Sequence, residues 1–185
     1  SRSKRCSMKI STKTGDAGRT KLMFGRDVSK ASQRVRAYGA LDDFSATLGL
    51  ARSFACGELA EFVLELQKSL VFLMTELATD KADFPKLAEK NIRTLGGADL
   101  EVLEKKIEAS EAAGDVFSGW AHSGETHLQA ALDMARARCR AAEREIAALA
   151  ESGELARPFP LAYINRLSDL LWILAQQSLK DGRED

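Results

Sequence analysis

His127-Leu-Gln-Ala-Ala-Leu-Asp-Met-Ala-Arg-Ala-Arg-Cys-Arg-Ala-Ala-Glu-Arg-Glu-Ile-Ala-Ala-Leu-Ala150 is the stretch that decides the fold. Within it Leu128, Leu132, Ala135, Cys139, Ala142, Ile146 and Leu149 recur at spacings that alternate four and three. That rhythm keeps them on one stripe of a helix and marks the seam of a helical bundle. The pattern predicts a helix over 124–152.

Working outward, the same rhythm returns in Ile164, Leu167, Leu171, Leu174 and Ser178, predicting a helix over 160–180 after the turn punctuated by Pro158 and Pro160. Upstream, Leu59, Phe62, Val63, Leu66, Leu70, Leu73, Met74 and Leu77 form one wide apolar face, a predicted helix over 57–79. Further helices are predicted over 32–54 and over 98–113, the latter after the Gly96-Gly97 break with Asp99 in its first turn. A helix of about 24 residues is roughly 36 Å long. Several of that length, joined by short connections, must pack side by side, so the expected fold is an all-α, five-helix bundle.

The bulk composition agrees. The 185 residues fit one domain, and 45% are hydrophobic while only 6% are aromatic, which suits helices packed through Leu, Ala, Val and Ile. Lys plus Arg number 27 and Asp plus Glu number 27, so no basic excess points to nucleic acid. No apolar run reaches the roughly 18 residues of a membrane span. Cys6, Cys56 and Cys139 are an odd set without a Cys-x-x-Cys pair, as reduced thiols in a cytosolic-type compartment would be. The expected domain is 8–182. Residues 1–7 are read as a disordered stub, with a cytoplasmic location, or a mitochondrial matrix one if that stub is a trimmed transit peptide.

Four segments carry residues suited to chemistry. Residues 8–28 hold three glycines and no helical period, and include Thr12-Lys13-Thr14-Gly15-Asp16-Ala17-Gly18-Arg19-Thr20. Glycines let a backbone approach a ligand, and hydroxyls with free N–H groups can donate to phosphate oxygens. Lys13 and Arg19 add positive charge, and Asp16 could hold magnesium or cap a turn. It is not a Walker A loop, and spacing alone favours a solvated turn. On the 124–152 helix, Arg136 and Glu143 fall less than about 90° from the centre of the apolar seam, Arg140 lies farther round, and Arg144 lies nearly opposite. Arginines four apart repel, so nearby Asp133, Glu143 and Glu145, or a phosphate, must offset them. In Arg34-Val35-Arg36-Ala37-Tyr38-Gly39-Ala40-Leu41-Asp42-Asp43, a mid-helix glycine suggests close approach by a backbone or ligand, and Asp42 sits at the edge of the apolar face. In Tyr163-Ile164-Asn165-Arg166-Leu167-Ser168-Asp169, Asn165 is either a register-setting bundle asparagine or a ligand contact. His122 and His127 are five apart rather than the four of a zinc pair, so no metal site is assigned to side chains alone. Trp120 precedes the helix as a core plug or a ligand contact.

Taken together and in this order, the four segments resemble the PduO-type ATP:corrinoid adenosyltransferases, over nearly the whole chain from about Met8 to Lys180. The loop matches the family's Thr-Lys-x-Gly-Asp-x-Gly-x-Thr pattern at every fixed position. The resemblance implies a five-helix, ferritin-like bundle that forms homotrimers with active sites between subunits. It implies transfer of the 5′-deoxyadenosyl group of ATP to the cobalt of a reduced cobalamin, with magnesium on the triphosphate. Thr12, Lys13, Thr14, Gly15, Asp16, Gly18, Thr20 and Lys30 would hold the phosphates, and Arg140, Glu143, Arg144 and Asn165 would contact ATP. Asp42 and Arg136 would pair across the subunit interface, and Trp120 would stand where the family's phenylalanine displaces the lower axial ligand of cobalt. A reductase and an adenosylcobalamin-dependent enzyme are the implied partners, with neither nucleic acid nor membrane. The chain departs from the family pattern in Trp120-Ala121-His122-Ser123-Gly124-Glu125, in Ala141, in Ser45 and in Asp133. These departures keep a second reading in view, a carrier that binds ATP or corrinoid with weakened turnover.

Overall fold

The computed structural model describes residues 15–114 and 122–181. The five predicted helices are present, as α1 (Gln33–Phe54), α2 (Gly57–Leu77), α4 (Gly97–Ala112), α5 (His127–Glu151) and α6 (Phe159–Asp181). A short α3 (Pro85–Glu89) lies in the connection between α2 and α4, which the sequence reading left unassigned. The α5 seam is the centre of the bundle. Leu132, Ala135, Cys139, Ala142, Ile146 and Leu149 are all buried, against Ala37, Leu41, Phe44 and Leu48 of α1 and Ile164, Leu167, Leu171 and Leu174 of α6. Alanines on both sides of the α1–α5 contact let those helices pack closely, and this pair makes the most extensive contact in the fold. The α5–α6, α1–α2 and α4–α6 contacts follow. Gln33 meets Glu145 and Asp43 meets Arg138, so α1 and α5 run antiparallel.

Helix ends follow capping chemistry. Ser32 Oγ accepts from the Val35 N–H at 3.4 Å, and Thr126 Oγ1 accepts from Gln129 N–H at 3.0 Å. The predicted start of α5 at 124 is therefore three residues early. Gly124 has φ +112°, a conformation suited to glycine and outside the helix.

The N-terminal segment, whose lack of helical period reads as an ordered or ligand-ordered loop, contains a small hairpin. Strands β1 (Arg19–Lys21) and β2 (Asp27–Ser29) pair antiparallel, Thr20 opposite Val28. Arg19 and Asp27 form an ion pair across it, so the Arg19 charge is already engaged within the hairpin.

A buried arginine, Arg34, and a half-buried one, Arg157, tie the bundle end beside the hairpin. Arg34 donates to the Leu77 carbonyl at 3.1 Å, to that of Thr79 at 2.7 Å, and to that of Glu154. Burial lowers its pKa, while the charges of Asp80 and Glu154 act the other way. Arg157 grips Glu76 with two bonds, 2.9 and 2.6 Å, and donates to the Leu95 carbonyl at 2.7 Å. The ends of α2 and α5, the turn before α6 and the connection to α4 thus meet in one clamp. Among the described residues no helix is long and apolar enough to cross a membrane.

Candidate active site

The glycine loop and Lys30 come together through the hairpin. Gly18 N–H donates to the Gly15 carbonyl at 3.2 Å, closing a tight turn, and Gly18 has φ +72°. Lys30 N–H donates to the Gly18 carbonyl at 2.8 Å, so β2 returns the chain to the turn it came from. The Lys30 ammonium lies directly on Gly15, where a Cβ would fall 2.7 Å from Nζ. Glycine at 15 therefore lets the cation reach the backbone of the turn. Thr20 is half-buried in β1 beside Tyr38 of α1. Burial raises the Tyr38 phenol pKa, and a hydrogen bond with the Thr20 side chain opposes the rise.

Three residues after Lys30, the chain is tied to α5. The Gln33 amide donates to both the backbone carbonyl and Oε2 of Glu145, each at 2.8 Å. This bond sets the level on α5 that meets the start of α1, three residues after Lys30. Glu143 and Arg144 sit at that level, and Arg140 one turn away. Cys139 donates its thiol to the Ile164 carbonyl at 3.4 Å, which brings the Asn165 position of α6 level with Arg140. The cysteine itself is a core residue, and burial raises its pKa.

The arginine-rich face divides into two groups. Arg136 binds Asp133 at 2.7 Å and Arg138 binds Asp43 of α1 at 3.0 Å. Arg140 and Arg144 are exposed and make no ion pair among the described residues, although Glu143 and Glu145 are close in sequence. Glu145 is instead engaged by Gln33. Local carboxylates thus offset two of the arginines and leave two available to an anion. Asn165 is exposed on the first turns of α6, so it is no buried register-setting residue. Asp42 is exposed on α1 and meets no arginine within the chain among the described residues. Gly39 is exposed too, and a Cβ there would meet nothing within 4 Å, so no close approach inside the chain accounts for it. Thr12, Lys13, Thr14 and Trp120 lie outside the described residues. A cleft of about 510 Å³ lined by Cys56, Lys106, Ser110 and Gln177 lies toward the opposite end of α1 and contains none of these groups.

Residues 10–178 match the cobalamin adenosyltransferase family. The chain belongs to that family. It is 35% identical over 178 residues to the corrinoid adenosyltransferase PduO of Salmonella typhimurium, covering 96% of this chain and 52% of that protein. It therefore spans about half the length of that relative. A corrinoid adenosyltransferase of Citrobacter freundii is 33% identical, with 91% of this chain and 93% of that one covered. Among solved structures, a variant PduO-type ATP:corrinoid adenosyltransferase from Lactobacillus reuteri, complexed with cobalamin and ATP, superposes with a TM-score of 0.83. It is 29% identical, over 92% of this chain and 93% of that one. A second variant of that enzyme, complexed with ATP, gives 0.81 at 30% identity over the same shares.

The long-range ties at this end of the bundle have no local signature in the sequence. Gln33 and Glu145 are separated by 112 residues. Arg26 meets Asp83 at 3.0 Å across 57 residues. No local pattern announces either pair. The donor set also bears on magnesium. Among the described residues no three acids, histidines or cysteines gather as a metal cage. Magnesium keeps most of its shell as water and phosphate oxygen and needs only one or two carboxylates from protein. The exposed Asp16 beside the Gly15–Gly18 turn fits that limited role.

Proposed function

We propose that this chain transfers the 5′-deoxyadenosyl group of ATP to the cobalt(I) of a corrinoid, releasing triphosphate. The observation that carries the reading is the pairing of the Lys30-covered glycine turn with an α5 face where Arg140 and Arg144 lack carboxylate partners. Cobalt(I) is a strong nucleophile; it forms a bond to C5′ while the C5′–oxygen bond to triphosphate breaks. No proton is removed, so the site needs no general base. Its tasks are alignment of cobalt, C5′ and the leaving oxygen, and neutralisation of charge on the triphosphate. Lys13, Thr14, Gly15, Gly18, Thr20 and Lys30 hold the phosphates, with Thr12 and Asp16 flanking them. Arg140 and Arg144 supply further positive charge, and Glu143 and Asn165 hold the nucleoside end. Magnesium on the triphosphate supplies charge neutralisation.

The corrinoid half of the reading is assigned to Trp120, Asp42 and Arg136. Trp120 shields the lower face of cobalt, and Asp42 pairs with Arg136 of a neighbouring subunit in a homotrimer. Leu50 and Phe54 of α1 and Met134 of α5 are exposed, with His127 stacked on Phe54 at 5.4 Å. Sedimentation at micromolar concentration is expected to give a trimer, and a monomer there would refute the shared-site arrangement. A cytoplasmic location, a supplying reductase and an adenosylcobalamin-dependent acceptor enzyme complete the proposal.

One observation favours the carrier reading. Asp133 already binds Arg136 within the chain, in competition with Asp42 of a neighbour. An anaerobic assay with pre-reduced cobalamin and magnesium-ATP decides between them. The enzyme consumes the cobalt(I) absorbance and releases triphosphate in equal amounts; a carrier binds both ligands and does neither.

A further inference from the structure

The hairpin that bears the phosphate turn has strands of three residues each. An isolated two-stranded hairpin is at best marginally stable in water, so its geometry must come from what it docks against. The docking is at the tip, away from the glycine turn. Leu22 is buried there, and Met23 N–H donates to the Ala78 carbonyl at 2.9 Å. Leu22 N–H donates to the Arg26 carbonyl at 2.8 Å and closes the tip, in which Phe24 takes a left-handed φ of 64°. Lys86 lies 5.7 Å from the Phe24 ring centroid. Among the described residues, Arg26 Nε donates to Asp83 Oδ2 at 3.0 Å and ties the tip to the bundle. Asp83 is only 8% exposed; its other oxygen accepts from Lys86 at 2.8 Å, and Asp80 stands 3.6 Å from Arg26.

We infer that Asp83 is a positioning residue for nucleotide binding, acting through Arg26 to fix the hairpin and hence the Gly15–Gly18 turn and Lys30. This rests on the phosphate-binding role proposed above for that turn. From Arg26 the chain runs through β2 to Lys30, whose N–H and ammonium both hold the turn. Strand β2 is short and paired along its length, so a change of angle at Arg26 is carried to Lys30 rather than absorbed. The carboxyl is also well suited to a permanent anchor. Hydrogen bonds from Arg26 and then Lys86 hold its pKa down to about 2, so it stays charged at any pH where the enzyme works. Arg26 is 44% exposed, and its guanidinium is engaged by Asp83 and Asp80.

Calorimetric titration with magnesium-ATP, without corrinoid, tests this on the wild type, Arg26→Ala, Arg26→Lys and Asp83→Asn. If undocking leaves about a tenth of the molecules with a competent loop, Kd rises about tenfold. That rise is expected in Arg26→Ala and Asp83→Asn, with most of it recovered in Arg26→Lys. Turnover at saturating magnesium-ATP should stay near the wild-type value, since the docked form is unchanged once filled. Amide exchange over Lys21–Val28 should quicken in the same two variants. Wild-type Kd in Arg26→Ala overturns the inference, whatever happens to the melting temperature. Should Asp83→Asn fail to fold, Arg26→Ala decides alone, because Asp83 there keeps Lys86 as its counter-ion. A wild type that binds no magnesium-ATP refutes the functional reading itself, an outcome distinct from equal binding by wild type and variant.

Discussion

Arg157→Ala is expected to cost roughly 3–5 kcal/mol of stability, because it leaves a buried carboxylate without its counter-ion. The Glu76 side chain is 2% exposed and receives two hydrogen bonds from Arg157. The same guanidinium satisfies the Leu95 carbonyl and lies 4.8 Å from the Phe159 ring centroid. Truncation thus removes an ion pair, a backbone partner and a cation–π contact together. For a chain of this size each kcal/mol moves the melting temperature by roughly 2–4 °C, so a fall of roughly 6–20 °C is expected. Replacing both partners by leucine should recover part of the loss, since no charge is then left buried. Thermal denaturation of the single and double variants checks both statements. A single variant that melts within about 2 °C of wild type would show that Glu76 finds another partner or water. The clamp also adjoins the Ala78–Lys86 segment on which the hairpin docks, so loss of magnesium-ATP affinity is expected to accompany its loss of stability.

The bundle was legible because its signal is periodic and repeated. The Leu132–Leu149 seam and the Ile164–Leu174 seam name buried residues almost without exception. A boundary or a short element rests on single residues, which carry no period. The apolar pattern predicts a start of α5 at 124, yet Thr126 followed by Gln129 is a capping pattern that marks the boundary. In the structure Gln129 also reaches back to accept from the Gly124 N–H at 2.7 Å. Helix α3 has five residues, too few for a period, and Pro85 at its first position was its one cue. Strands of three residues are likewise too short to show alternation, so the hairpin read as loop. In the candidate site, the helical wheel placed Arg140 and Arg144 correctly toward solvent. It could not tell which arginines would find carboxylates, because Asp43 reaches Arg138 across 95 positions by tertiary packing alone. Arg34 opens the segment that carries Gly39 and Asp42, and its three carbonyl partners, which no local pattern announces, make it an internal clamp.

Arg140→Ala is expected to weaken magnesium-ATP binding roughly ten- to hundredfold while the fold survives. A charge-assisted bond to a phosphate oxygen contributes about 1.5–3 kcal/mol, and each 1.4 kcal/mol is about tenfold in affinity. Within the chain the side chain is exposed and makes no ion pair among the described residues. Its removal should therefore shift stability by no more than about 0.5 kcal/mol. The neighbouring Arg138 makes the internal comparison. It lies two positions away on the same helix and carries the same charge, but Asp43 already holds it at 3.0 Å. An exposed pair of that kind contributes about 0–1 kcal/mol to stability, and its truncation should leave magnesium-ATP affinity within about twofold. If the face acted only as a diffuse positive field, the two variants would lose affinity equally and the loss would vanish at high salt. A specific phosphate contact at Arg140 instead predicts a difference between the variants that persists as salt is raised. Equal affinities for wild type and Arg140→Ala, measured by titration at low and high salt, would remove Arg140 from the site and leave Lys30 and the glycine turn to hold the triphosphate.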